Sequence, residues 1–584
     1  MKSFFKIFFA SLLALILFSA VGIFLLIGMI SSAATPETPV VGNDAVLVLD
    51  LSDEFREQSR EMPFSRIINA ETEAPSLYDM VRMIQYAKKD SSIKGIYIRC
   101  NDNANGFAAS EELRAALQDF KKSDKFLIAY GEAISQKAYF VANIADKLYC
   151  HPMGGLDWRG FSSGVIFLKG MLDKLNIEPQ IFYAGKFKSA TEPLRETRMT
   201  EANRLQTSVW LNDLYSVFLQ STAASRKLDT AALRQLAVSG AVQTAHDALK
   251  YQLVDGLKYD DEVKAEILHK LRSTGRGIIN FVTFHDYAKA VAFKQNSYGN
   301  KIALVYASGD IVDGQGADEQ VASDVFKNIL REARLNSDVK AIVLRVNSPG
   351  GSSLASDVIW RELDLARKEK PVVVSMGDMA ASGGYYIACN ADSVFANAST
   401  LTGSIGVFSI VPNFEPFLRN KLGITADRVS TAPYADMGSG NRALSPAEKQ
   451  FFQSGVDSVY HQFKSRVASG RKQSIEYIDS IAQGRVWTGT RAKTVGLVDR
   501  IGTLQDAVKT AANMAKLDSY WLVEYPEHKG LLEQIMGNYK KSIRKDLIRE
   551  ELGETEWMFL SNLQQVRQMV GKPQARIPFA LTVH

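Results

Sequence analysis

Cysteine and histidine are scarce in this chain. Its 584 residues include three cysteines and seven histidines. The cysteines, Cys100, Cys150 and Cys389, lack the spacing of metal ligands, and so small and odd a set does not form a disulfide framework. We predict that they are structural and unpaired, although Cys100 and Cys150 could pair in an oxidising compartment. Neither a metal nor a cofactor is expected.

The lack of histidine motifs and of charge clusters argues against two further classes of function. No histidine adjoins a recognisable nucleophile or acid motif, so a histidine-based catalytic triad is not indicated. The net charge is +5, and the charged residues, 23% of the chain, form no basic cluster. A nucleic-acid partner is therefore not expected.

The N-terminal segment is uncharged and apolar. Residues 8–30 contain no Asp, Glu, Lys or Arg and are rich in Leu, Ile and Phe. About 20 apolar residues suffice for a helix that crosses a bilayer. A cleaved signal peptide is the alternative, because residues 32–34 are small, but its apolar region is normally about 7–15 residues long. We therefore predict an uncleaved transmembrane anchor over residues 1–34.

The charges that flank this segment predict its orientation. Lys2 and Lys6 precede it, whereas residues 34–44 are acidic or neutral. Positive charges remain on the cytoplasmic side of a membrane. The prediction is thus a single-pass protein of the cell inner membrane, with most of the chain on the periplasmic or extracytoplasmic side and in contact with lipid through its N-terminal helix.

The rest of the chain contains one module twice. Residues 94–101, KGIYIRCN, resemble residues 340–347, KAIVLRVN, and residues 131–146 resemble residues 377–392 at the same offset. One offset held over such a span indicates duplication.

The order of segments predicts the fold class. Apolar segments of strand length alternate with amphipathic segments, which we predict to be helices over residues 77–87 and 321–333. This order is typical of an α/β fold, with parallel sheets that helices cover on both faces. The predicted modules span residues 35–295 and 296–525, and a helical tail follows over residues 526–584.

Ser382 lies where a strand meets a helix in the second copy, within Ala-Ala-Ser-Gly-Gly at residues 380–384. Small side chains let a substrate backbone approach, and the free N–H groups of a helix start favour a developing negative charge. An acyl-transfer nucleophile requires both features, although a plain helix cap is the alternative. The first copy has Gln136 at the matching position.

A glycine-rich loop, Ser-Pro-Gly-Gly at residues 348–351, follows the preceding strand. Both loops should leave the sheet at the same edge, where the carboxyl ends of parallel strands bind ligands. Glycine N–H groups there can donate to a carbonyl oxygen, so we predict Gly383 and Gly351, with Gly350 as the alternative, as oxyanion donors. A simple type II turn is the other interpretation.

Lysine is the remaining candidate for the base that a catalytic serine needs. Lys188 follows an apolar strand of the first copy, and burial can lower a lysine pKa from about 10.4 by several units. Lys186 competes with it, and either could be a solvated surface charge. Residues 160–164 match the G-x-S-x-G pattern of hydrolases, but this short match is unspecific, and no suitably placed Asp and His follow.

Four motifs together resemble the long, duplicated form of the signal peptide peptidase, or protease IV, family. They are S-P-G-G at 348–351, M-A-A-S-G-G at 379–384, L-T-G-S-I-G at 401–406 and G-R-V-W-T-G at 484–489. The resemblance implies tandem domains with a fold similar to that of ClpP and crotonase, each a parallel sheet with flanking helices.

The resemblance also implies a serine-type endopeptidase with a Ser-Lys dyad. Its lysine would come from the first module, as Lys188 in F-K-S-A-T-E-P, and its serine from the second, as Ser382. Ser404 would orient the lysine amine. Ser382 would attack a peptide carbonyl while neutral Lys188 takes the proton and later returns it to the leaving amine.

Substrates and assembly are likewise expectations from the resemblance. Peptide substrates would be apolar remnants of cleaved signal peptides, and the chain would form a homotetramer above the membrane. Two alternatives remain open at this stage: an acyl-CoA enzyme of crotonase type, which would need acidic residues at the site, and a catalytically inactive membrane scaffold.

Overall fold

The computed structural model describes most of the chain: residues 2–33, 39–59, 75–271, 277–291, 299–317, 319–527 and 572–577. Helix α1 covers Lys2–Ala33, the region predicted as the anchor. Within the described residues, no helix combines the length and apolarity needed to cross a membrane. The prediction of a helical tail falls mainly on residues 528–571 and 578–584, which lie outside the described residues.

Strands and helices alternate in the first module. Its strands are β1 Ala45–Asp50, β2 Ile93–Arg99, β3 Phe126–Ile134, β4 Lys147–Leu156, β5 Glu178–Ala184, β6 Gly256–Leu257 and β7 Phe281–Thr283. Its helices are α2 Leu77–Ala87, α3 Phe107–Phe120, α4 Gln136–Ala142, α5 Lys169–Leu175, α6 Glu192–Arg195, α7 Glu201–Arg226, α8 Thr230–Val238, α9 Ala245–Lys250, α10 Asp260–Lys270 and α11 Phe284–Ala290.

The second module repeats this alternation. Its strands are β8 Lys301–Ser308, β9 Asp310–Val312, β10 Gln320–Ala322, β11 Val339–Ser348, β12 Gly350–Ser352, β13 Val372–Ala381, β14 Ser393–Ala396, β15 Leu401–Gly403, β16 Val407–Asn413, β17 Val486–Thr488, β18 Arg500–Ile501 and β19 Trp521–Tyr525. Its helices are α12 Ser323–Leu335, α13 Ser353–Arg367, α14 Gly383–Ala388, α15 Glu415–Leu422, α16 Pro446–Arg471, α17 Ile475–Ile481, α18 Gly489–Thr494 and α19 Leu504–Met514. One strand of the tail, β20 Gln574–Arg576, is also described.

The two central sheets share one topology. In the first module the strand order is β6-β4-β3-β2-β1-β7, and every pair is parallel. In the second module the order β18-β14-β13-β11-β8-β19 repeats it, again with parallel pairs. This correspondence confirms the duplication and the α/β fold that the sequence predicts.

The apolar strands are continuous in sequence because both of their faces are buried. Along β8, Ala303 and Val305 contribute to one hydrophobic cluster, and Ile302 and Leu304 contribute to another on the opposite face. Side chains alternate between the faces of a strand, so a strand buried on both sides needs apolar residues at every position. Helices α12 and α13 cover one face, and α19 covers the other.

A third sheet joins the two modules. Its strand order is β10-β9-β12-β20-β16-β5. Strand β5 of the first module pairs antiparallel with β16 of the second, from Glu178 opposite Asn413 to Ala184 opposite Val407. Strand β5 of the first module is thus the edge strand of a sheet whose β9, β10, β12 and β16 belong to the second module.

The predicted helix over residues 321–333 begins later in the structure. Residues Gln320–Ala322 form β10, where Val321 pairs with Ile311, and the helix covers Ser323–Leu335. Val321, the first apolar residue of the predicted helix, pairs with β9 and therefore belongs to a strand. The prediction of unpaired cysteines is confirmed, since Cys100, Cys150 and Cys389 are buried and free.

A buried cluster of charges also connects the modules. Arg345 on β11 is enclosed, and its Nε lies 2.8 Å from a carboxylate oxygen of Glu57. Its Nη1 lies 2.8 Å from a carboxylate oxygen of Glu112. Both acids belong to the first module and are almost fully buried. Removing one member of such a cluster leaves an uncompensated charge in a medium of low polarity.

Arg345→Ala is expected to lower the free energy of unfolding by about 3–5 kcal/mol, because two buried carboxylates lose their cation. Urea unfolding followed by circular dichroism measures the change. Arg361→Ala is the matched control. Arg361 is exposed, and its Nη1 lies 3.0 Å from a carboxylate oxygen of Asp364 at the surface, where ion pairs contribute little to stability. Equal unfolding midpoints for the two variants would contradict a stabilising role for the cluster.

Candidate active site

The register of β13 and β15 brings two serines together. Ala381, the last residue of β13, pairs with Gly403, the last residue of β15. Ser382 and Ser404 are the next residues of the two strands, so they leave the sheet side by side. The backbone N–H of Ser382 also donates to the carbonyl of Gly403 at 2.8 Å.

The register of β5 and β16 brings the lysine loop to the same place. Ala184, the last residue of β5, lies opposite Val407, the first residue of β16. The chain that leaves β5 therefore runs back along the segment that precedes β16, which contains Ser404 and Gly406. Lys188 lies in this returning loop.

Ser382 adopts a backbone conformation that is rare for a residue with a side chain. Its φ is 56° and its ψ is −113°, and Ser404 also has a positive φ, 51°. Such conformations cost about 1–3 kcal/mol each and persist where the surrounding structure imposes them, often at active sites. Ser382 precedes α14, but its side chain makes no capping hydrogen bond. The helix-cap interpretation therefore does not account for the serine hydroxyl.

Lys188 contacts Ser382 directly. Its Nζ lies 2.8 Å from the Oγ of Ser382, within hydrogen-bond reach. Lys188 is 2% exposed and Ser382 is 0% exposed. Burial lowers the pKa of the Lys188 amine well below its ordinary value, because desolvation disfavours the charged form. An uncharged amine is therefore favoured beside a serine hydroxyl.

Ser404 offers this amine two acceptors. Lys188 Nζ lies 3.2 Å from the Oγ of Ser404 and 3.3 Å from its carbonyl oxygen. A neutral amine has two N–H bonds and one lone pair. If both N–H bonds donate to Ser404, the lone pair is left to accept the Ser382 hydroxyl proton. This geometry is that of a base oriented toward its nucleophile.

The predicted oxyanion donors border one carbonyl oxygen. Gly350 has a φ of 97°, and a Cβ built on it would lie 2.1 Å from the carbonyl oxygen of Ala575 and 2.6 Å from the nitrogen of Gly383. Gly351 pairs with Ala575 in the antiparallel register of β12 and β20. Gly383 is the first residue of α14, where backbone N–H groups lack partners within the helix. The arrangement suits stabilisation of a developing oxyanion.

Gly350 is less suited to donate than Gly351. Its N–H donates to the Oγ of Ser348 at 3.2 Å. Both glycines belong to strand β12. The segment therefore forms a strand, and the simple type II turn considered from the sequence does not describe it fully. The role that Gly350 does fill is to leave room for the carbonyl, because any side chain there would collide with it.

Groups from both modules hold the lysine loop. A Cβ built on Gly484 would lie 2.7 Å from the backbone nitrogen of Lys188, so only glycine allows this close approach. The amide of Gln206 on α7 donates to the carbonyl of Phe187 at 3.1 Å and accepts from the N–H of Val486 at 3.2 Å. Gln206 thus joins the loop to β17.

The segment after Lys188 is held by a buried carboxylate. Glu192 is 2% exposed. It accepts from the hydroxyl of Thr200 at 2.6 Å and from the amide of Asn203 at 2.8 Å. These bonds fix the turn Ser189–Thr191 that follows the lysine.

Lys186, the competing lysine, is exposed at the surface. Its Nζ lies 6.0 Å from the ring centre of Phe187. Ser162 of the G-x-S-x-G match is also exposed. The structure does not bring either residue to Ser382.

The matching position of the first copy has a structural role. Gln136 is buried. Its amide donates to the carbonyl of Gly160 at 3.0 Å and accepts from the N–H groups of Gly160 and Arg159. Asn105, where the second copy has Gly351, accepts from the N–H of Phe55. At the positions where the second copy has Ser382 and Gly351, the first copy therefore has side chains that form hydrogen bonds with the backbone.

Sequence reasoning misses Gln206 and the tail strand β20. Gln206 carries no local signal, because its partners lie in a loop before it and in the other module. Gly484 lies within a motif noted in the sequence, but its contact with Lys188 depends on folding. In the described part of the chain, no three His, Cys, Asp or Glu residues are grouped so as to hold a metal ion.

Comparisons with known proteins identify the family of the chain. Residues 119–272 and 364–518 match Peptidase family S49, and residues 294–402 match the Clp protease family. The chain is 38% identical to Protease 4 of Salmonella typhi over 80% of this chain and 77% of that protein. It is 33% identical to Protease 4 of Haemophilus influenzae over 81% of this chain and 80% of that protein.

A plant relative extends the comparison. The chain is 31% identical to the chloroplastic serine protease SPPA of Arabidopsis thaliana over 78% of this chain and 69% of that protein. Two family matches, one in each module, also agree with the duplicated sheets. The chain belongs to Peptidase family S49 and is a serine-type peptidase.

Proposed function

We propose that the chain is an endopeptidase whose catalytic groups are a Ser382–Lys188 dyad assembled from two modules. The observation that carries this proposal is the 2.8 Å contact between the buried Lys188 amine and the Ser382 hydroxyl. Among the hydrogen bonds of these two side chains to described residues, none involves a carboxylate. This favours the peptidase over an acyl-CoA enzyme that works through acidic groups.

In the proposed reaction, the Ser382 oxygen attacks the carbonyl carbon of a peptide bond. The lone pair of neutral Lys188 takes the hydroxyl proton, and the N–H groups of Gly351 and Gly383 stabilise the oxyanion. Lys188 then returns the proton to the leaving amine, and an acyl-enzyme remains on Ser382. Water, deprotonated by Lys188, releases the acyl group.

We further propose that the enzyme is held at the extracytoplasmic face of the inner membrane and forms a homotetramer. Residues 8–30 are uncharged in sequence and lie in helix α1, and Lys2 and Lys6 precede them. An enzyme anchored there meets apolar peptides released from the bilayer, such as the remnants of cleaved signal peptides. The resemblance in motifs supports both the substrates and the assembly.

Ser382→Ala and Lys188→Ala are expected to lower hydrolysis of a peptide ester by about 10²–10⁴-fold or more, because each removes one member of the dyad. A serine-reactive phosphonate should label Ser382 in the unmodified protein, which mass spectrometry of tryptic peptides detects. Lys186→Ala is the matched control and should retain most of the activity. Unchanged hydrolysis by Ser382→Ala would refute the proposed nucleophile.

The activity is expected to fall as the pH falls through the lowered pKa of Lys188. Below that pKa the amine is protonated and cannot accept the serine proton, whereas above it the base is present. The pH dependence of kcat/KM for the peptide ester measures this loss in the free enzyme. A rate that stays constant well into the acidic range would contradict a lysine base.

Ser404→Ala is expected to lower kcat about fivefold, because the amine loses one acceptor of about 1 kcal/mol while the carbonyl of Ser404 remains. Steady-state kinetics on the same ester measures the change. Ser409→Ala is the control, since the buried hydroxyl of Ser409 on β16 has no hydrogen-bond partner among the described residues. An equal effect of both substitutions would show that Ser404 has no specific role in orienting the lysine.

A further inference from the structure

The side-chain contacts of strand β20 show what the groove beside the proposed dyad can recognise. In the order β10-β9-β12-β20-β16-β5, this strand lies between β12 and β16. It runs antiparallel to both, with Gly351 opposite Ala575 and Phe408 opposite Gln574. Peptides that add a strand to a sheet bind through main-chain hydrogen bonds, and pockets for their side chains provide the specificity.

The register shows which side chain follows the carbonyl at the proposed oxyanion donors. Gly351 pairs with Ala575, and a Cβ built on Gly383 would lie 3.1 Å from the carbonyl oxygen of Ala575. A substrate bound in the same register would have its scissile carbonyl at this place. The residue after its scissile bond would then take the position of Arg576.

One carboxylate holds the side chain at that position. Arg576 Nη2 lies 2.7 Å from one carboxylate oxygen of Asp310, and Arg576 Nη1 lies 3.0 Å from the other. Arg576 is 7% exposed, so the contact is enclosed by protein. Two parallel N–H···O bonds between a guanidinium and a carboxylate add geometric specificity to the attraction of their charges.

Two strand pairings bring Asp310 to the groove. Asp310 is the first residue of β9, and the next residue, Ile311, pairs with Gly351 of β12. On the other side of β12, Gly350 pairs with Arg576. Between the arginine and Asp310, β12 thus contributes a glycine and no larger side chain, which leaves room for the arginine to reach the carboxylate.

A second acid near the groove is less enclosed. Lys572 Nζ lies 2.7 Å from a carboxylate oxygen of Asp313, but the side chain of Lys572 is 62% exposed. Exposed ion pairs contribute little, because water screens them. Of the two acids, Asp310 is therefore the one expected to discriminate between side chains.

We propose that Asp310 makes the enzyme prefer a substrate with an arginine or a lysine immediately after the scissile bond. This inference rests on the proposed dyad and oxyanion donors. An arginine there forms the two-bond contact, whereas a lysine offers a single point of charge. A neutral residue leaves the carboxylate without a cation, and an acidic residue is repelled by it.

This preference fits the substrates proposed above. Signal peptides carry positively charged residues before an apolar region. The groove also accommodates an apolar residue after the basic one, since Ile577 is buried among side chains that include Trp210 and Leu401. Cleavage would therefore fall just before a basic residue that an apolar stretch follows.

A competition assay with the full-length protein in detergent tests the preference. Four synthetic peptides share one sequence, with alanine before the scissile bond and isoleucine two residues after it, and carry arginine, lysine, alanine or glutamate between them. Mass spectrometry of two peptides in one tube gives the ratio of their kcat/KM values. Both peptides meet the same free enzyme, so occupancy of the groove by β20 does not affect this ratio.

The arginine peptide should be cleaved about 10–100-fold faster than the alanine peptide, the range expected for hydrogen bonds between charged groups. The glutamate peptide should be the slowest, and the lysine peptide should lie between arginine and alanine. Equal rates for the arginine and alanine peptides would overturn the proposal. Cleavage at any bond other than the one before the varied residue would refute the register.

Substitutions of Asp310 should change the order of the peptides. Asp310→Asn removes the charge at nearly constant volume and should bring the ratio of arginine to alanine close to one. Asp310→Lys should reverse the order in favour of glutamate. Asp324→Ala is the matched control and should keep the preference, because Asp324 lies on the surface of α12, 3.5 Å from Lys327. An unchanged preference in Asp310→Asn would contradict the assignment.

The peptide ester separates this inference from the proposed dyad. If the unmodified protein hydrolyses the ester through Ser382 but does not discriminate among the four peptides, the role of Asp310 is refuted while the dyad stands. If Ser382→Ala still hydrolyses the ester, the dyad itself fails.

Discussion

Exclusion of water from one lysine amine is the constraint on which the proposed site depends. A solvated lysine has a pKa of about 10.4 and would be protonated near neutrality. Lys188 is 2% exposed because the loop that contains Gly484 closes over its backbone and Ser404 lies against its amine. These covering residues come from the second module, and the lysine comes from the first. The pairing of β5 with β16 and the buried charges around Arg345 therefore serve the site by keeping the modules together.

The two copies of the module have diverged in complementary ways. In the second copy, Ser382 and Ser404 hold positive φ angles, a costly arrangement that leaves a hydroxyl and an amine in contact. In the first copy, Gln136 and Asn105 satisfy backbone groups by hydrogen bonds at the matching positions. The first copy therefore has no serine at the matching position, and its Lys188 contacts Ser382 of the second copy. Two positive φ angles and a buried amine thus lie together at one site.

The sheet that joins the modules also explains how the site can receive a peptide. Strands β12 and β16 lie on either side of β20. Main-chain groups of such flanking strands can bind any extended peptide, whatever its side chains. The side chains of the strand lie in two pockets, one small around Ala575 and one apolar around Ile577. The proposed donors Gly351 and Gly383 lie beside the carbonyl of Ala575.

The amino-acid sequence by itself determined the α/β class and the duplication, and it made Ser382 a candidate nucleophile, because apolar periodicity, a repeated offset and small residues around a serine are local properties. It could not choose between Lys188 and Lys186, which share one loop, without the resemblance to a known family. Only the tertiary structure decided that choice, since burial depends on what packs over a residue from elsewhere in the chain. For the same reason Gln206 and the strand Gln574–Arg576 had no recognisable signal: their roles arise from partners that lie far away in the sequence and meet them only after folding.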